Sequence, residues 1–406
     1  MTRKLSLAGA ILILALLTPA TPGWQSRQPA APAPISIPFE LVTRHMVLKV
    51  RINNSRPLSF VLDTGDRVGV VDMKVATELG LKLQGQVRVG GAGSDTLPGS
   101  VVEGADWTLP GLDRFSQPIR LAIPLSRLAG RFGHDFDGII GSEFIKQFVV
   151  EVDYPARVIR LYDKDKFSYH GAGESIAIEL NSQGHPTIDA EVSPAGSEPL
   201  RGKFVLDLGA GSALTLHAPF VAEHRLLNSD SKTIRVIGAG GAGGLTSGRM
   251  GRVASLKIGK FTIASPVTIF SEDKAGAFAT TALAGNIGQQ IAGKFKLFLD
   301  YSHNRIIFEP TAALNDPFDR AQTGLALIAE GRDYTIFRVT DVLESSPAAE
   351  AGLQKDDVII QVNDQRAAEL TITKLGEMFE RPVAYKLRIQ RGDQTLQLTL
   401  TPRKLV

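Results

Sequence analysis

The sequence predicts a mainly β protein: two β-barrel lobes made by an internal duplication, followed by a small α+β domain. Three observations carry this. Two landmarks recur in register, the stretches between them read as short strands separated by glycine turns, and the segment 322–403 changes texture. At 406 residues the chain has room for two or three domains of about 150 residues each.

In chain order, the first expected element is a signal peptide over 1–22. Arg3 and Lys4 give it a positive start, and the run 5–17 is apolar except for Ser6 and Gly9. These 13 residues fall short of the roughly 20 that span a bilayer. No A-x-A cleavage site follows, so an uncleaved membrane tether stands as the alternative to a cleaved leader. Both imply export, to a periplasm or the extracellular space. A proline-rich linker is expected over 23–37, where Gln28-Pro-Ala-Ala-Pro-Ala-Pro34 favours extended chain.

The two lobes, 38–165 and 172–311, are read from the repeat. Phe60-Val-Leu-Asp-Thr-Gly65 returns as Phe204-Val-Leu-Asp-Leu-Gly209, and Asp137-Gly-Ile-Ile-Gly141 returns as Ala284-Gly-Asn-Ile-Gly288. Each second landmark leads into an apolar run ending in Asp-Tyr, at Asp153 and Asp300. Asp63 to Gly141 spans 78 residues and Asp207 to Gly288 spans 81, while the step from glycine to the later acid is 12 in both copies. Chance does not keep three landmarks in step. Within the copies, 47–52 and 176–180 alternate apolar and polar residues as half-buried strands do, and helices are expected only over 72–80 and 142–147. Many short strands between glycine turns imply a barrel or sandwich. The tail, after a boundary over 310–319, reads strand (334–339), helix (346–351), strand (357–362), helix (372–379) and two strands (385–390, 395–401).

Composition excludes several chemistries. The absence of cysteine removes disulfides, thiol catalysis and cysteine-held metals. The formal charge of +3 drops by two with Arg3 and Lys4, too balanced for a general nucleic-acid binder. The segment 234–243 fits G-x-G-x-x-G, but no helical period follows it and the next acid is Glu272, so no dinucleotide is expected. The seven histidines are scattered. His134-Asp135-Phe136-Asp137 is the one local cluster of metal-ligand types, and it reads as a solvated loop. There is no H-E-x-x-H and no G-x-S-x-G, and neither metal nor cofactor is expected.

Asp63 and Asp207 remain as the candidate chemistry. Each ends an apolar strand and is followed two residues later by glycine, which lets the backbone turn and aim N–H groups at the acid. Two such acids brought face to face cannot both ionise, so they share one proton; one can then activate water while the other hydrogen-bonds a carbonyl.

On these residues the chain resembles the retropepsin-like (pepsin/retropepsin-type) aspartic peptidases, in a tandem bacterial form with a C-terminal PDZ domain. Asp63-Thr64-Gly65 with Ile139-Ile140-Gly141, and Asp207-Leu208-Gly209 with Ile287-Gly288, carry the resemblance. It implies the acid-protease fold, Asp63 and Asp207 as the catalytic pair, and Thr64, Gly65, Gly209, Ile140, Gly141, Ile287 and Gly288 as their support. It also places substrate-covering flaps at Gly90, Gly91 and Gly93 and at Gly238, Gly240 and Gly241, with an extended polypeptide substrate beneath them. Three positions depart from the family pattern: Leu208 for Thr or Ser, Asp66-Arg67 after the first motif, and Asn286 where the first copy has Ile139.

The tail resembles a PDZ domain through Ser346-Pro-Ala-Ala-Glu-Ala-Gly-Leu353 and Lys355-Asp-Asp-Val-Ile-Ile-Gln-Val-Asn363. The resemblance implies a loop at Gly324, Leu325, Ala326 and Leu327 that receives the carboxylate of a peptide or protein C-terminus, the peptide adding as a strand beside the helix 372–379. Packing on the barrel without taking peptide is the other reading of this domain. For the whole chain the expectation is an aspartic-type endopeptidase; the alternative is a peptide-binding protein of the same fold.

Overall fold

The computed structural model describes residues 33–112, 117–227, 232–238, 241 and 243–406. The expected signal peptide, the start of the linker and Gly240 lie outside the described residues. The linker is shorter than its reading over 23–37. Ile35–Pro38 is already a strand, paired antiparallel with Val158–Tyr162, because Ile37 has core to enter and is 3% exposed.

That strand edges a six-stranded sheet joining the two lobes. Its order is Ile35–Pro38, Val158–Tyr162, Val149–Asp153, Phe295–Asp300, Arg305–Pro310 and Glu174–Ala177. The lobes meet where Val150, Glu151 and Val152 face Leu299, Phe298 and Leu297. Val149–Asp153 is buried throughout, so the charge of Glu151 needs partners; Arg160 Nη1 and the Tyr162 hydroxyl supply them, each at 2.5 Å. The run 176–180, expected as one strand, divides at buried Ile178. Glu174–Ala177 stays in the joining sheet, and Glu179–Leu180 pairs within the second lobe.

Each lobe then folds a sheet around its landmarks. Leu58–Leu62 runs parallel to Gly138–Ile140, and Leu200–Leu206 runs parallel to Gly285–Ile287. The strand that follows each aspartate, Gly69–Asp72 or Leu214–Leu216, returns antiparallel on the far side of that same short strand. Short helices occur at Met73–Glu78 and Ser142–Ile145 near their expected places. Three more, Ser126–Phe132, Ala218–Glu223 and Gln289–Ala292, are too brief to show a helical period in sequence.

The tail is a five-strand path, Leu325–Glu330, Ile336–Val342, Val358–Val362, Tyr385–Arg391 and Gln394–Leu400, with Gln365–Arg366 pairing at its side. Helix Ile372–Phe379 buries Leu375 and Phe379 in a core separate from that of the barrels. The expected loop 324–327 is corrected here. Leu325, Ala326 and Leu327 open a strand with an irregularity between Ala326 and Leu327, and Gly324 alone precedes it, at φ +76°. Alternate apolar side chains gain more from a pleated edge facing the helix than from a loop.

This tail touches both lobes. Helix Ser126–Phe132 of the first lobe packs on strand Leu325–Glu330, the Thr43 N–H meets Thr373 Oγ1 at 3.3 Å, and Arg44 pairs with Glu380. From the second lobe, Lys294 Nζ donates to the carbonyls of Ala313 (3.0 Å) and Asp316 (2.5 Å). Arg252 donates to the carbonyls of Phe318 (2.6 Å) and Val406 (3.1 Å). The segment between barrel and tail is therefore clamped along its length.

Candidate active site

Asp63 and Asp207 end their strands at one place between the lobes. Their backbones are tied alike: the Asp63 N–H donates to Ile140 O (3.0 Å) and the Asp207 N–H to Ile287 O (2.9 Å). Each carboxylate accepts from the N–H two residues on, Gly65 to Asp63 Oδ1 at 2.7 Å and Gly209 to Asp207 Oδ1 at 3.0 Å. The motifs interleave. A Cβ on Gly209 would lie 2.1 Å from Asp63 Cγ, and one on Gly65 would lie 2.8 Å from Asp207 Oδ1. Only a residue without a side chain leaves room for the opposite acid.

The remaining supporting residues pass under this pair. Gly141 abuts the Arg67 and Val68 backbone, and Gly288 abuts the Ala210 and Ser212 carbonyls. The chain just beyond each glycine bonds back to the loop after the aspartate: Ser142 N–H to Asp66 O at 2.9 Å, Gln289 N–H to Ala210 O at 2.8 Å. Thr64, fully buried, crosses between the lobes; its Oγ1 donates to Leu206 O (2.5 Å) and accepts from the Leu208 N–H (2.9 Å). Leu208 has no hydroxyl to return this. Instead Gln289 Nε2 bonds the Leu208 carbonyl.

Burial and neighbouring charge act on Asp63. Burial holds Asp63 well above the usual carboxylate range, helped by the charges of Asp207 and Asp66 and by a hydrogen bond to Asp207; the Gly65 N–H opposes this. Asp66 is itself pushed up to about 6, by burial first and then by the Asp207 charge, against the pull of the Arg67 N–H. The Arg67 side chain does not neutralise it but reaches Glu143 at 3.3 Å. A third acid therefore stands beside the pair.

Sequence reasoning missed the histidines, since it saw them only as scattered. His45 and His185 both lie within the field of Asp207, and burial lowers both pKa values while that charge opposes. His217 reaches Asp207 indirectly: its Nε2 is 2.8 Å from Asn286 Oδ1, and Asn286 Nδ2 donates to Asp207 Oδ2 at 2.7 Å. The alignment that already set Asn286 against Ile139 would also have set His217 against Asp72, had it been carried to the next strand end.

Among the described residues, the other flap residues fall on two hairpins whose tips meet. Gly90, Gly91 and Gly93 lie between Lys82–Val89 and Leu97–Glu103, and Gly238 ends Ile234–Gly238 opposite Thr246; Gly241 belongs to the second tip. The Asp95 N–H donates to Gly243 O at 2.8 Å, and the Ala277 N–H to Gly91 O at 3.1 Å.

Residues 48–144 match the family model described as aspartyl protease, and residues 338–391 match the one described as PDZ domain. The chain is therefore similar to aspartyl proteases over the first of these stretches and to PDZ domains over the second. Among curated proteins, the periplasmic pH-dependent serine endoprotease DegQ of Escherichia coli (strain K12) is 39% identical over 67 residues, 16% of this chain and 14% of that protein. Serine protease HTRA1A of Danio rerio is 31% identical over 67 residues, with the same two shares. The chain thus matches only about one seventh of those relatives' length. A crystal structure of the HtrA3 PDZ domain bound to a phage-derived ligand is 20% identical, with a TM-score of 0.19, and the match covers 21% of this chain and 86% of that one.

In the PDZ domain, Gly324, Leu325, Ala326 and Leu327 line a cavity of about 770 Å³ together with Ile372 and Phe379 of the helix. The far wall belongs to the barrels, through Leu41, Arg44 and Gln290 among others. The Leu325 N–H is bonded to Thr323 Oγ1 at 3.1 Å. The domain both packs on the barrel and keeps an open groove.

Proposed function

We propose that this protein is an exported aspartic-type endopeptidase acting on extended polypeptides, with its PDZ domain holding a substrate C-terminus. The observation that carries the reading is the interleaving of the Asp63 and Asp207 motifs, each acid lodged against the other's glycine, with burial holding Asp63 well above the usual carboxylate range. In the reaction, the ionised carboxylate takes a proton from water as the water oxygen bonds to the scissile carbonyl carbon, and the protonated carboxyl gives its proton to the carbonyl oxygen. The diol then collapses. The C–N bond breaks, the amine leaves with the proton first taken from water, and a diol proton restores the other acid, so the pair ends as it began.

The test is cleavage of an unfolded protein by the wild type, Asp63→Asn and Asp207→Asn. Both variants should lose activity by about 10³-fold or more, and a sulfonyl fluoride that traps nucleophilic serines should leave the wild-type rate unchanged. Binding of the polypeptide with no cleavage by the wild type would leave a peptide-binding protein. Sensitivity to the sulfonyl fluoride, with Asp63→Asn still active, would replace the aspartic reading by a serine one.

A further inference from the structure

The second lobe departs from the first at two positions that touch. Val205↔Asn286 and Val61↔Ile139 are the same register positions beside the two aspartates, so an amide stands in one lobe where an alkyl group stands in the other. Asn286 Nδ2 donates to Asp207 Oδ2 at 2.7 Å, and this turns Asn286 Oδ1 toward His217. His217 Nε2, at 2.8 Å, can hold that orientation only as an N–H donor. His217 is 1% exposed, with Nδ1 buried and the Thr280 backbone acting on the ring as a hydrogen-bond partner that favours its protonated form. His217 precedes helix Ala218–Glu223, yet its side chain does not cap that helix, so the ring is committed to Asn286.

We infer that Asn286, oriented by His217, fixes the site of the pair's single proton: Asp207 is the ionised base that activates water, and Asp63 is the acid that protonates the substrate carbonyl. This rests on the aspartic reading above and adds to it an assignment of the two acids. Asn286 and His217 are positioning residues; neither needs to touch substrate. The other titratable groups facing the pair are Asp66 in the loop after Asp63, His45 on strand His45–Ile52 and His185 ahead of strand Pro186–Ser193. Around His217 stand Asn286, Phe278 and Thr280, none of them titratable. The burial and acid neighbours that raise Asp63 act in the same direction as the Asn286 amide, which keeps Asp207 charged.

The experiment compares Asn286→Leu, His217→Leu and His217→Gln in the full chain by two readouts. One is the pH dependence of peptide cleavage; the other is titration of the Asp63 and Asp207 carboxyls by ¹³C NMR, assigned with Asp63→Asn and Asp207→Asn. Removing a donor to the charged form raises the pH at which the pair first ionises. The acid limb should therefore move up by about one unit in Asn286→Leu and in the same direction in His217→Leu. His217→Gln, which keeps an N–H near Nε2, should return it toward the wild type. In the NMR titration Asp207 should ionise first in the wild type. Asn286→Ala, which needs no extra space, replaces Asn286→Leu if that variant does not fold. Two results overturn the inference: an acid limb in a folded Asn286 variant that superimposes on the wild type, or Asp63 ionising before Asp207. A His217→Gln profile displaced as far as that of His217→Leu overturns the positioning role of His217. If the wild type cleaves nothing, the peptidase reading fails by itself, and the NMR titration still decides which acid holds the proton.

Discussion

At the end of the strand that follows each aspartate, the first lobe has Asp72 and the second has His217. Their backbones do the same thing: Asp72 N–H donates to Asp137 O at 2.7 Å, and His217 N–H to Ala284 O at 2.9 Å. Their side chains do not. Asp72 spends its carboxylate on four backbone N–H groups, those of Lys74 and Val75 in its own helix and of Leu125 and Ser126 at the start of the next. His217 leaves its helix uncapped and turns to Asn286 and so to Asp207. Main-chain pairing has kept the duplicated loops superimposable, and the polar side chains beneath have been free to diverge. One lobe uses its polar residue for stability, the other for the charge state of an acid.

The largest effect that sharpens this contrast is expected at Asp72. Asp72→Ala orphans several buried N–H groups and should cost about 3 kcal/mol in urea unfolding, while the acid limb of the pH–rate profile stays in place. A shifted limb would break the comparison. Next comes the brace between the lobes. Thr64→Val removes two buried hydrogen bonds and should cost about 2 kcal/mol, against about 1 kcal/mol for Leu208→Val, which removes a methylene alone. Equal costs would mean that the brace is shared.

A smaller effect belongs to Asp66. Its carboxyl moves from the ordinary 3.8 to about 6 on folding. Between these values the folded chain keeps a proton that the unfolded chain has released, so stability falls as pH rises through that window and the loss is complete above it. Asp66→Ser should therefore gain about 1 kcal/mol at pH 7, discounted for partial exposure, and nothing below about pH 4. The same change removes a like charge from beside Asp63, so the alkaline limb of cleavage should move toward acid. The smallest effect is expected at Leu327, in the PDZ groove. Leu327→Glu should weaken cleavage of a protein substrate and leave the rate on a short peptide unchanged. Loss of both rates would tie the groove to the cleft itself.

Much of this was legible because duplication prints the same residues twice. The Asp-x-Gly and Ile-Gly landmarks and the helix at Ile372–Phe379 stand in the sequence at fixed places. Networks do not print that way. His45 comes from the first lobe and His185 and His217 from separate strand ends of the second, far apart along the chain from Asp207, so no local spacing announces them. Leu325–Leu327 is strand and not loop because it pairs with Ile336–Val342, a partner several residues on that the glycine at 324 gives no hint of. Helix Ser126–Phe132, with Gly130 inside it, has too little propensity to be seen until it packs on the tail.

The clamp formed by Arg252 and Lys294 has a mechanical consequence. A domain on a loose tether samples a cloud of positions, and its benefit is a concentration. Here both ends of the connection are bonded and the tail also rests on the first lobe, so the groove and the cleft are separated by one length. An extended chain covers about 3.3 Å per residue, and that length translates into a count of residues between a held end and the bond beneath the flaps. The tail would then act as a ruler, and the fragments released would share a common size.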